Sequence, residues 1–227
     1  MNRVPLERKV LSENDRIAGE LRERFRERGI LCLNLISSPG AGKTLLLERT
    51  LESFAPVTRV AVLTGDIQTD NDARRLARSG FPVQQITTGG ACHLDARMIE
   101  RALAAWRLED LDLLLIENVG NLVCPASYDL GEAAKIVVLS VTEGEDKPLK
   151  YPSIFFKSAV LVLNKIDLLP YVPFRIELVR ENARRVHPGM EIIEVSCTTR
   201  EGLNVWRQWL EARCEAARAE LREAPAC

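Results

Sequence analysis

The sequence has no excess of charge of either sign. Its 31 basic and 32 acidic residues give a net charge of −1, whereas nucleic-acid-binding proteins usually carry a basic excess. No apolar run reaches the roughly 18 residues that a transmembrane helix needs. The first five residues lead into charged sequence without the pattern of a signal peptide. We therefore expect a cytoplasmic protein that binds no nucleic acid and no membrane.

Histidine is scarce in this chain, whereas cysteine is not. There are two histidines and six cysteines among the 227 residues. Because the cytosol keeps thiols reduced, we expect free cysteines rather than disulfide bonds. Reduced cysteines either pack in a protein core or ligate metals, and composition alone leaves that choice open.

Short apolar segments alternate with helical patterns from residue 31 onward. The predicted strands are Leu31–Ile36, Val60–Thr64, Val83–Thr87, Leu111–Ile116, Ile136–Val141, Val160–Leu163 and Ile192–Val195. The predicted helices between them are Lys43–Ser53, Asp72–Ser79, Leu94–Ala105, Pro173–Val186 and Glu201–Ala219. Apolar strands that alternate with helices are typical of a mainly parallel sheet covered on both faces. The predicted fold class is therefore α/β with three layers.

An amphipathic helix is predicted before the first strand. Ile17, Leu21 and Phe25 recur at every fourth position and so define one apolar face. Ser12 is a suitable N-cap, and the pattern predicts a helix that runs from there to about Arg28. Arginine and glutamate fill the other positions, so we expect this helix to lie on the domain with a solvated outer face.

A glycine-rich segment separates the first strand from the first helix after it, Ser37-Ser38-Pro39-Gly40-Ala41-Gly42-Lys43-Thr44. Backbone N–H groups at such a loop and helix N-terminus bind phosphate oxygens. Lys43 would neutralise the β and γ oxygens, and the Thr44 hydroxyl would ligate magnesium. Ser37 replaces the first glycine of the P-loop pattern G-x-x-x-x-G-K-[ST]. The position between a strand and a helix still favours a P-loop over an ordinary turn.

A base-reading motif follows the sixth strand, Asn164-Lys165-Ile166-Asp167. The Asp167 carboxylate can accept both N1–H and N2–H₂ of guanine, whereas adenine presents a mismatched edge. Lys165 can lay its alkyl stem over the base, and Asn164 can tie this loop to the P-loop. At the end of a strand far downstream of a P-loop, this N-K-x-D sequence indicates a guanine nucleotide, GTP or GDP.

A second base-contacting loop is expected at Ser196-Cys197-Thr198, after the last strand, where a backbone N–H would meet guanine O6. Packing is a more natural role than metal binding for the Cys197 thiol. We therefore predict a P-loop NTPase fold with a GTPase domain at 31–220, preceded by the helix of 1–30 and followed by a tail at 221–227. The predicted GTP-binding residues are Pro39, Gly40, Ala41, Gly42, Lys43, Thr44, Asn164, Lys165, Asp167, Ser196 and Cys197.

Acidic residues follow two of the predicted strands. Glu117 ends an apolar strand in a Walker B arrangement, which would hold magnesium directly or through water. Asp66 follows the second strand, where it can reach the metal or position the attacking water, and Asp72 is the second candidate. Capping of the next helix is the alternative role for Asp70 or Asp72. The predicted catalytic residues are Lys43, Asp66, Asp72 and Glu117, and the predicted magnesium ligands are Thr44, Asp66 and Glu117.

Cysteine and histidine side chains follow the third and fourth strands. Cys92 and His93 are adjacent, and Cys124 comes seven residues after Glu117. Both segments leave the sheet at its C-terminal edge, where ligands bind in open α/β folds. Two thiolates and an imidazole suit nickel, zinc or copper. From these residues alone, buried structural cysteines remain an equal alternative.

Taken together, these segments resemble the HypB family of hydrogenase nickel-incorporation GTPases, a SIMIBI-class P-loop family. The resemblance covers about Leu31 to Leu203, and its most specific pieces are Ser37–Thr44, Gly89–Leu94, Glu117–Pro125 and Glu143–Pro148. It implies GTP hydrolysis with magnesium, and Ni²⁺ or Zn²⁺ bound by Cys92, His93 and Cys124. It also implies a GTP-dependent homodimer, a second small nickel chaperone as partner, and delivery of nickel to the large subunit of [NiFe]-hydrogenase.

The N-terminal segment differs from part of this family. Some members carry an N-terminal cysteine motif or a histidine-rich stretch for nickel, whereas residues 1–30 contain neither Cys nor His. We therefore expect metal transfer through the GTPase-domain site.

Other functions remain as alternatives. The related urease nickel chaperone typically has a proline between its cysteine and histidine, whereas Cys92 and His93 are adjacent, and it lacks the stretch at 118–125. The GTPase that guards cobalamin-dependent mutases lacks the Cys/His set. A nucleotide-gated regulatory GTPase with structural cysteines would carry no metal cargo. A small-molecule kinase is disfavoured by the motif at 164–167.

Overall fold

The strands of this protein form one parallel sheet. The computed structural model describes residues 6–54, 58–68 and 70–223. Seven strands lie in the order β3-β2-β4-β1-β5-β6-β7, and all neighbouring pairs are parallel. They are β1 (Leu31–Ser37), β2 (Val60–Asp66), β3 (Val83–Thr87), β4 (Leu113–Glu117), β5 (Ala134–Ser140), β6 (Ser158–Asn164) and β7 (Glu191–Glu194).

Helices cover both faces of the sheet. They are α1 (Leu6–Arg26), α2 (Lys43–Ser53), α3 (Asn71–Ala77), α4 (Ala96–Leu103), α5 (Lys147–Lys150), α6 (Pro152–Lys157), α7 (Ile176–Val186) and α8 (Leu203–Glu223). Alternation along β1 separates the layers, because successive side chains on a strand point to opposite faces. Leu33 and Leu35 pack in the cluster with α2, α3 and α8, whereas Cys32 packs with α1 and α4. The predicted three-layer α/β fold is confirmed, and no described helix is long and apolar enough to span a bilayer.

The N-terminal helix packs through the face that its sequence pattern predicts. Ile17, Leu21 and Phe25 are buried in the cluster that α1 shares with α4. The predicted N-cap is wrong, because Ser12 lies inside α1, which already includes Leu6. Serine is only mildly unfavourable within a helix, and strong helix formers flank it on both sides, so the helix continues through this position.

Other boundaries differ by a few residues from those predicted. Helix α2 has the predicted bounds, whereas α7 begins at Ile176 rather than Pro173. Helix α8 continues to Glu223, beyond the predicted domain boundary at 220. The short helices α5 and α6 were not predicted, because a segment of four to six residues shows too little periodicity. Cys227 lies outside the described residues.

The register of the central strands brings the predicted motifs together. Glu117 at the end of β4 pairs with Leu35 of β1 on one side and with Thr64 of β2 on the other. The P-loop follows β1, and Asp66 ends β2. The predicted phosphate and magnesium residues therefore meet at one edge of the sheet, where ligands of open α/β folds bind.

A buried carboxylate fastens the opposite edge of the sheet. Asp112 accepts hydrogen bonds from the Arg59 backbone N–H at 2.9 Å and from its guanidinium at 2.8 Å, and Arg218 of α8 lies 3.1 Å away. These contacts, with the Arg59 side chain as the largest cause, lower the pKa of Asp112 to about 2. We expect Asp112→Asn to lower the free energy of unfolding at pH 7 by about 1.5–3 kcal/mol, the range for hydrogen bonds to charged groups.

The pH dependence of that loss follows from the lowered pKa. The stabilisation by Asp112 is complete above its ordinary pKa of 3.8 and is lost as the pH falls towards about 2. Urea denaturation should therefore show a difference between wild type and variant that narrows below about pH 4. Asp110→Asn is the control, because its ion pair with Arg107 is exposed and should contribute less than about 1 kcal/mol. Equal losses in both variants would contradict the role of Asp112.

Candidate nucleotide and metal site

The P-loop joins β1 to the N-terminus of α2. Gly40 and Gly42 have φ angles of 77° and 96°, which place both in the left-handed region. The Lys43 amine is buried and donates to the Ser37 hydroxyl at 2.8 Å. Burial lowers the pKa of Lys43, although nearby acids including Glu117 oppose the shift. Ser37, which stands where the P-loop pattern has glycine, therefore holds the amine in place.

Gly42 also lies in contact with the base-reading motif. A Cβ atom built on Gly42 would lie 2.4 Å from Nδ2 of Asn164, so no larger residue fits there without a shift. Asn164 Nδ2 donates to the Ala41 carbonyl at 2.9 Å. The Lys165 amine donates to the Gly40 carbonyl at 2.6 Å. These contacts fasten the base-reading loop directly to the P-loop.

A cavity of about 710 Å³ opens at this edge of the sheet. Its volume is within the range of small-ligand sites. Its lining includes most of the predicted phosphate-binding residues and all three predicted magnesium ligands. It is lined by Pro39, Gly40, Gly42, Lys43, Thr44, Leu45, Gly65, Asp66, Ile67, Gln68, Asp72, Arg75, Glu117, Asn118, Val119, Gly120 and Lys165.

Glu117 is a buried acid that fits a divalent cation. Its Oε1 accepts a hydrogen bond from the Thr44 hydroxyl at 2.8 Å, so two predicted magnesium ligands already touch. Its Oε2 is buried without a hydrogen-bond partner among the described residues. Burial raises the pKa of Glu117 to about 7, although Lys43 opposes the shift. A buried carboxylate oxygen without a partner beside a hydroxyl suits Mg²⁺, which prefers hard oxygen ligands.

The other predicted acids lie along the same cavity. Asp66 and Asp72 both line it, and Asp66 Oδ1 accepts from the Gln68 backbone N–H at 2.8 Å. Asp70 occupies the N-cap position of α3 but makes no side-chain capping bond there. Its carboxylate instead pairs with Arg74 at 2.8 Å. The Asp70 side chain therefore does not cap α3.

The residues predicted to read guanine form hydrogen bonds with one another. The Ser196 hydroxyl donates to Asp167 Oδ1 at 2.5 Å. Asn164 Oδ1 accepts from the Lys165 N–H at 2.8 Å and from the Cys197 N–H at 3.3 Å. The Thr198 N–H donates to the Ser196 hydroxyl at 3.2 Å. The Cys197 and Thr198 N–H groups, which could donate to guanine O6, already donate to Asn164 and Ser196.

Cys92, His93 and Cys124 come together on the segments that follow β3 and β4. Their ligand atoms all lie within 4.8 Å of one another. The two Sγ atoms are 3.0 Å apart, and Cys92 Sγ lies 3.8 Å from His93 Nδ1. All three side chains are partly buried. Two thiols and one imidazole in this geometry can bind Ni²⁺ or Zn²⁺, with a fourth ligand still required for a tetrahedral site.

The protonation of this group suits a metal site. Burial lowers the pKa of His93, which favours the neutral imidazole that ligates metals. The hydrogen bond with Cys124, followed by burial, raises the pKa of Cys92, so a metal must displace a proton from the thiol pair. Away from this group, burial raises the pKa of Cys197 to about 12 and of Cys214 to about 11, as expected for inert packing thiols.

The structure also reveals residues for which the sequence analysis assigned no role. The Tyr128 ring stacks on His93 with ring centroids 3.8 Å apart. Lys147 lies 3.5 Å from the Ser38 hydroxyl of the P-loop and 3.3 Å from Glu143. Lys147 and Glu143 stand in the 143–148 segment that carries the family resemblance, which was the available signal. No pattern in the sequence indicates Tyr128.

Comparison with known proteins identifies the family to which these features belong. The family described as CobW/HypB/UreG, nucleotide-binding domain, matches residues 31–194. A hydrogenase maturation factor HypB from Azotobacter vinelandii is 51% identical over 227 residues, which cover 96% of this chain and 74% of that protein. The chain belongs to the HypB hydrogenase maturation factors. The resemblance of the sequence motifs to this family is thus confirmed.

Solved structures of other proteins share this fold. The crystal structure of HypB from Helicobacter pylori in complex with nickel matches with a TM-score of 0.85 and 40% identity, covering 95% of this chain and 100% of that one. The signal recognition particle receptor FtsY from Elizabethkingia anophelis matches with a TM-score of 0.53 and 14% identity, over 73% of this chain and 57% of that one. This second likeness concerns the fold alone and agrees with the P-loop NTPase prediction.

Proposed function

We propose that this chain is a GTP-hydrolysing nickel metallochaperone that assists nickel insertion during the maturation of [NiFe]-hydrogenase. The proposal rests on one observation above all. A Cys92–His93–Cys124 group lies at the sheet edge that also carries the P-loop and its cavity. One domain thus combines a nucleotide site with a soft-metal site, as a nucleotide-gated carrier of nickel requires. The fit of the residues to a metal and the family membership both support this function.

The nucleotide chemistry is assigned to the residues that line the cavity. Lys43 binds the β and γ phosphates, and Thr44, Asp66 and Glu117 hold Mg²⁺, which would neutralise charge on the transferring phosphoryl group. Asp72 lies on the same wall and is the second candidate to position the attacking water. Asn164, Lys165 and Asp167 read guanine, and the loop at 196–198 supports them.

The metal is cargo in this proposal. Cys92, His93 and Cys124 hold Ni²⁺ or Zn²⁺ and pass nickel on to the hydrogenase large subunit, together with a second small nickel chaperone. The protein acts in the cytoplasm. A single chain offers three soft ligands, so a homodimer that forms with GTP would supply further ligands from the same group across a two-fold axis. Val123, next to Cys124, is 60% exposed, which supports a contact surface at this point.

The decisive experiment is nickel transfer. Nickel-loaded protein without an affinity tag is mixed with apo-hydrogenase large subunit, and nickel in the large subunit is measured with GTP, GDP and no nucleotide. We expect faster transfer with GTP than with GDP. A protein that binds GTP but no nickel would instead be a regulatory GTPase with structural cysteines. Nickel binding without any nucleotide-dependent transfer would contradict the chaperone role.

Hydrolysis is expected to be slow and to depend on Lys43 and Asp66. The cavity wall includes Arg75, but its guanidinium is paired with Glu48 at 2.5 Å, so we assign no arginine finger. Turnover should lie well below about 1 s⁻¹, because transition-state charge is incompletely stabilised. Phosphate release should fall in Lys43→Ala chiefly through weaker GTP binding, and in Asp66→Ala chiefly through a lower kcat.

A matched pair of controls accompanies that assay. Lys150→Ala removes an exposed lysine that pairs with Asp146, and Asp70→Asn removes a carboxylate that pairs with Arg74. Both should retain wild-type turnover. Turnover that survives both Lys43→Ala and Asp66→Ala would refute the roles assigned to these two residues.

Metal binding and GTP-dependent dimerisation should be coupled. Magnesium and γ-phosphate would pull on Glu117, and Cys124 follows seven residues later in the same segment. We expect nickel to change the free energy of dimerisation of the GTP form by about 1–3 kcal/mol. By linkage, dimerisation must change the free energy of nickel binding by the same amount. Nickel titration of the GDP form and of a non-hydrolysable GTP form, with mass measured by light scattering, tests this. Identical isotherms and unchanged mass would indicate a passive metal site.

A further inference from the structure

A buried asparagine connects the two sites by a route other than the chain between them. Asn118 follows Glu117 and is 1% exposed. Its Oδ1 accepts hydrogen bonds from the backbone N–H of Val119 at 3.0 Å and from that of Leu94 at 3.2 Å. Leu94 is the residue after His93. The Asn118 side chain is therefore hydrogen-bonded both to the segment that follows β4 and to the loop that carries Cys92 and His93.

Leu94 also packs against β2, the strand that ends at the second proposed magnesium ligand, Asp66. A Cβ atom built on Gly65 would lie 2.8 Å from the Leu94 side chain, so this residue packs directly against the backbone just before Asp66. Leu94 itself is fully buried. Leu94 therefore contacts the neighbours of both proposed magnesium ligands. It packs against Gly65, which precedes Asp66, and its N–H donates to Asn118, which follows Glu117.

We propose that Asn118 is a positioning residue that transmits movement of the Glu117 segment to the Cys92–His93 loop through the Leu94 N–H. The inference rests on the proposed function, since it concerns how nucleotide and nickel sites communicate. A close-packed interior transmits small shifts, because its neighbours cannot deform independently. A displacement of Glu117 on binding of nucleotide and magnesium would carry Asn118 with it, and the Leu94 amide would have to follow or lose its acceptor.

A second buried branch starts from the same side chain and provides the control. Asn118 Nδ2 donates to Asn34 Oδ1 at 3.2 Å, and Asn34 Nδ2 donates to Glu132 Oε1 at 3.2 Å. Glu132 is paired with Lys135, whose amine also donates to the Tyr128 carbonyl at 2.8 Å. This branch ends at the backbone carbonyl of Tyr128, the residue whose ring stacks on His93. Asn34→Ala cuts it but leaves the bond between Asn118 and Leu94 intact.

The experiment compares Asn118→Ala with Asn34→Ala. Both remove a fully buried asparagine amide, so both should lower thermal stability to a similar extent. Nickel affinity is measured by titration in the GDP form and in a non-hydrolysable GTP form. The ratio of the two affinities is the coupling, which for linked sites is typically about 5–150-fold. We expect Asn118→Ala to reduce this ratio by about threefold or more, with the remainder carried by the segment that joins Glu117 to Cys124, whereas Asn34→Ala keeps most of it.

Each outcome of the titrations has a defined meaning. A wild-type ratio retained in Asn118→Ala overturns the proposal, as does an equal loss in both variants, which would indicate a general packing effect. Wild-type protein that binds GTP and nickel with a ratio of one also overturns it, but leaves both activities standing. Failure of the wild-type protein to bind nickel or GTP refutes the proposed function itself.

Hydrogen exchange in the wild-type protein tests the same link without relying on a variant that folds. We expect the protection of the Leu94 amide to change together with that of Val119 when GDP is replaced by the non-hydrolysable GTP analogue. A change at Val119 with none at Leu94 would overturn the proposal, because the two amides share one acceptor.

Discussion

Asp167→Asn should weaken GTP binding by on the order of 10³- to 10⁴-fold, because it turns an acceptor that faces guanine into a donor. The Ser196 hydroxyl holds Oδ1 of Asp167 at 2.5 Å, so the carboxylate is oriented before a base arrives. In the variant the Oδ1 atom can keep that hydrogen bond, which directs the new NH₂ group towards the N1–H and N2–H₂ donors of the base. Affinity for xanthosine triphosphate, whose 2-oxo group accepts a hydrogen bond, should rise.

Isothermal titration with GTP, ATP and xanthosine triphosphate measures this exchange of specificity. The wild-type protein should prefer GTP over ATP by on the order of 10⁴-fold. Ser196→Ala should cost about tenfold in GTP affinity, since it removes one orienting hydrogen bond and leaves the carboxylate. Asp70→Asn alters a carboxylate that pairs with Arg74 and should leave specificity unchanged. Equal ATP and GTP binding by the wild type would end the guanine assignment.

Cys124→Ala should lower nickel affinity by more than about 100-fold, because the loss of an outer-shell partner alone costs roughly 10–100-fold. Its sulfur lies 3.0 Å from that of Cys92, and the three ligand atoms of the group lie within 4.8 Å of one another. Removal of one thiol leaves a single thiol and an imidazole, too few for a soft-metal site. GTP binding by the monomer should change little, since Cys124 does not line the nucleotide cavity.

Cys214→Ala is the matched control for that experiment. Cys214 lies on α8 and is buried in the apolar cluster between the sheet and helices α2, α3 and α8, and burial raises the pKa of its thiol to about 11. Its replacement should reduce stability slightly and leave the nickel isotherm unchanged. Both variants are titrated with nickel and with zinc in the presence of a competing metal-binding dye, whose absorbance reports the metal that is not bound by the protein. Wild-type stoichiometry and affinity in Cys124→Ala would exclude this thiol as a ligand.

Most of the fold was predictable because local sequence patterns indicate most of its strands and its longer helices. The five strands inside the sheet contain short apolar runs, whereas the edge strands β3 and β7 also carry glutamine or glutamate. Helix α2 has the predicted bounds because a P-loop fixes where its helix begins. The start of α1 was not predictable from Ser12, since a weak capping preference competes with good helix formers around it. The short helices α5 and α6 depend on tertiary packing, such as that of Ile154 and Phe155 in the core.

The candidate site could be predicted from motifs of fixed spacing and from residues that follow strands. The P-loop, the 164–167 motif and the adjacent Cys92–His93 pair are of the first kind, and Asp66, Glu117 and Cys124 are of the second. The polar contacts between segments are of neither kind. The hydrogen bonds of Asn118 to Leu94 and Asn34 join residues 24 and 84 positions apart, and no local pattern signals them. The stacking of Tyr128 on His93 likewise results from how two loops meet.

The contact between Gly42 and Asn164 limits how this protein can be redesigned. With the Asn164 amide 2.4 Å from where a side chain on Gly42 would begin, position 42 cannot be enlarged unless the Asn164 side chain moves or is shortened. A library aimed at a new nucleotide base should therefore hold 42 and 164 constant and diversify 165, 167 and 196. Variants that enlarge position 42 would separate the base-reading loop from the P-loop and lose every nucleotide together, whatever base was sought.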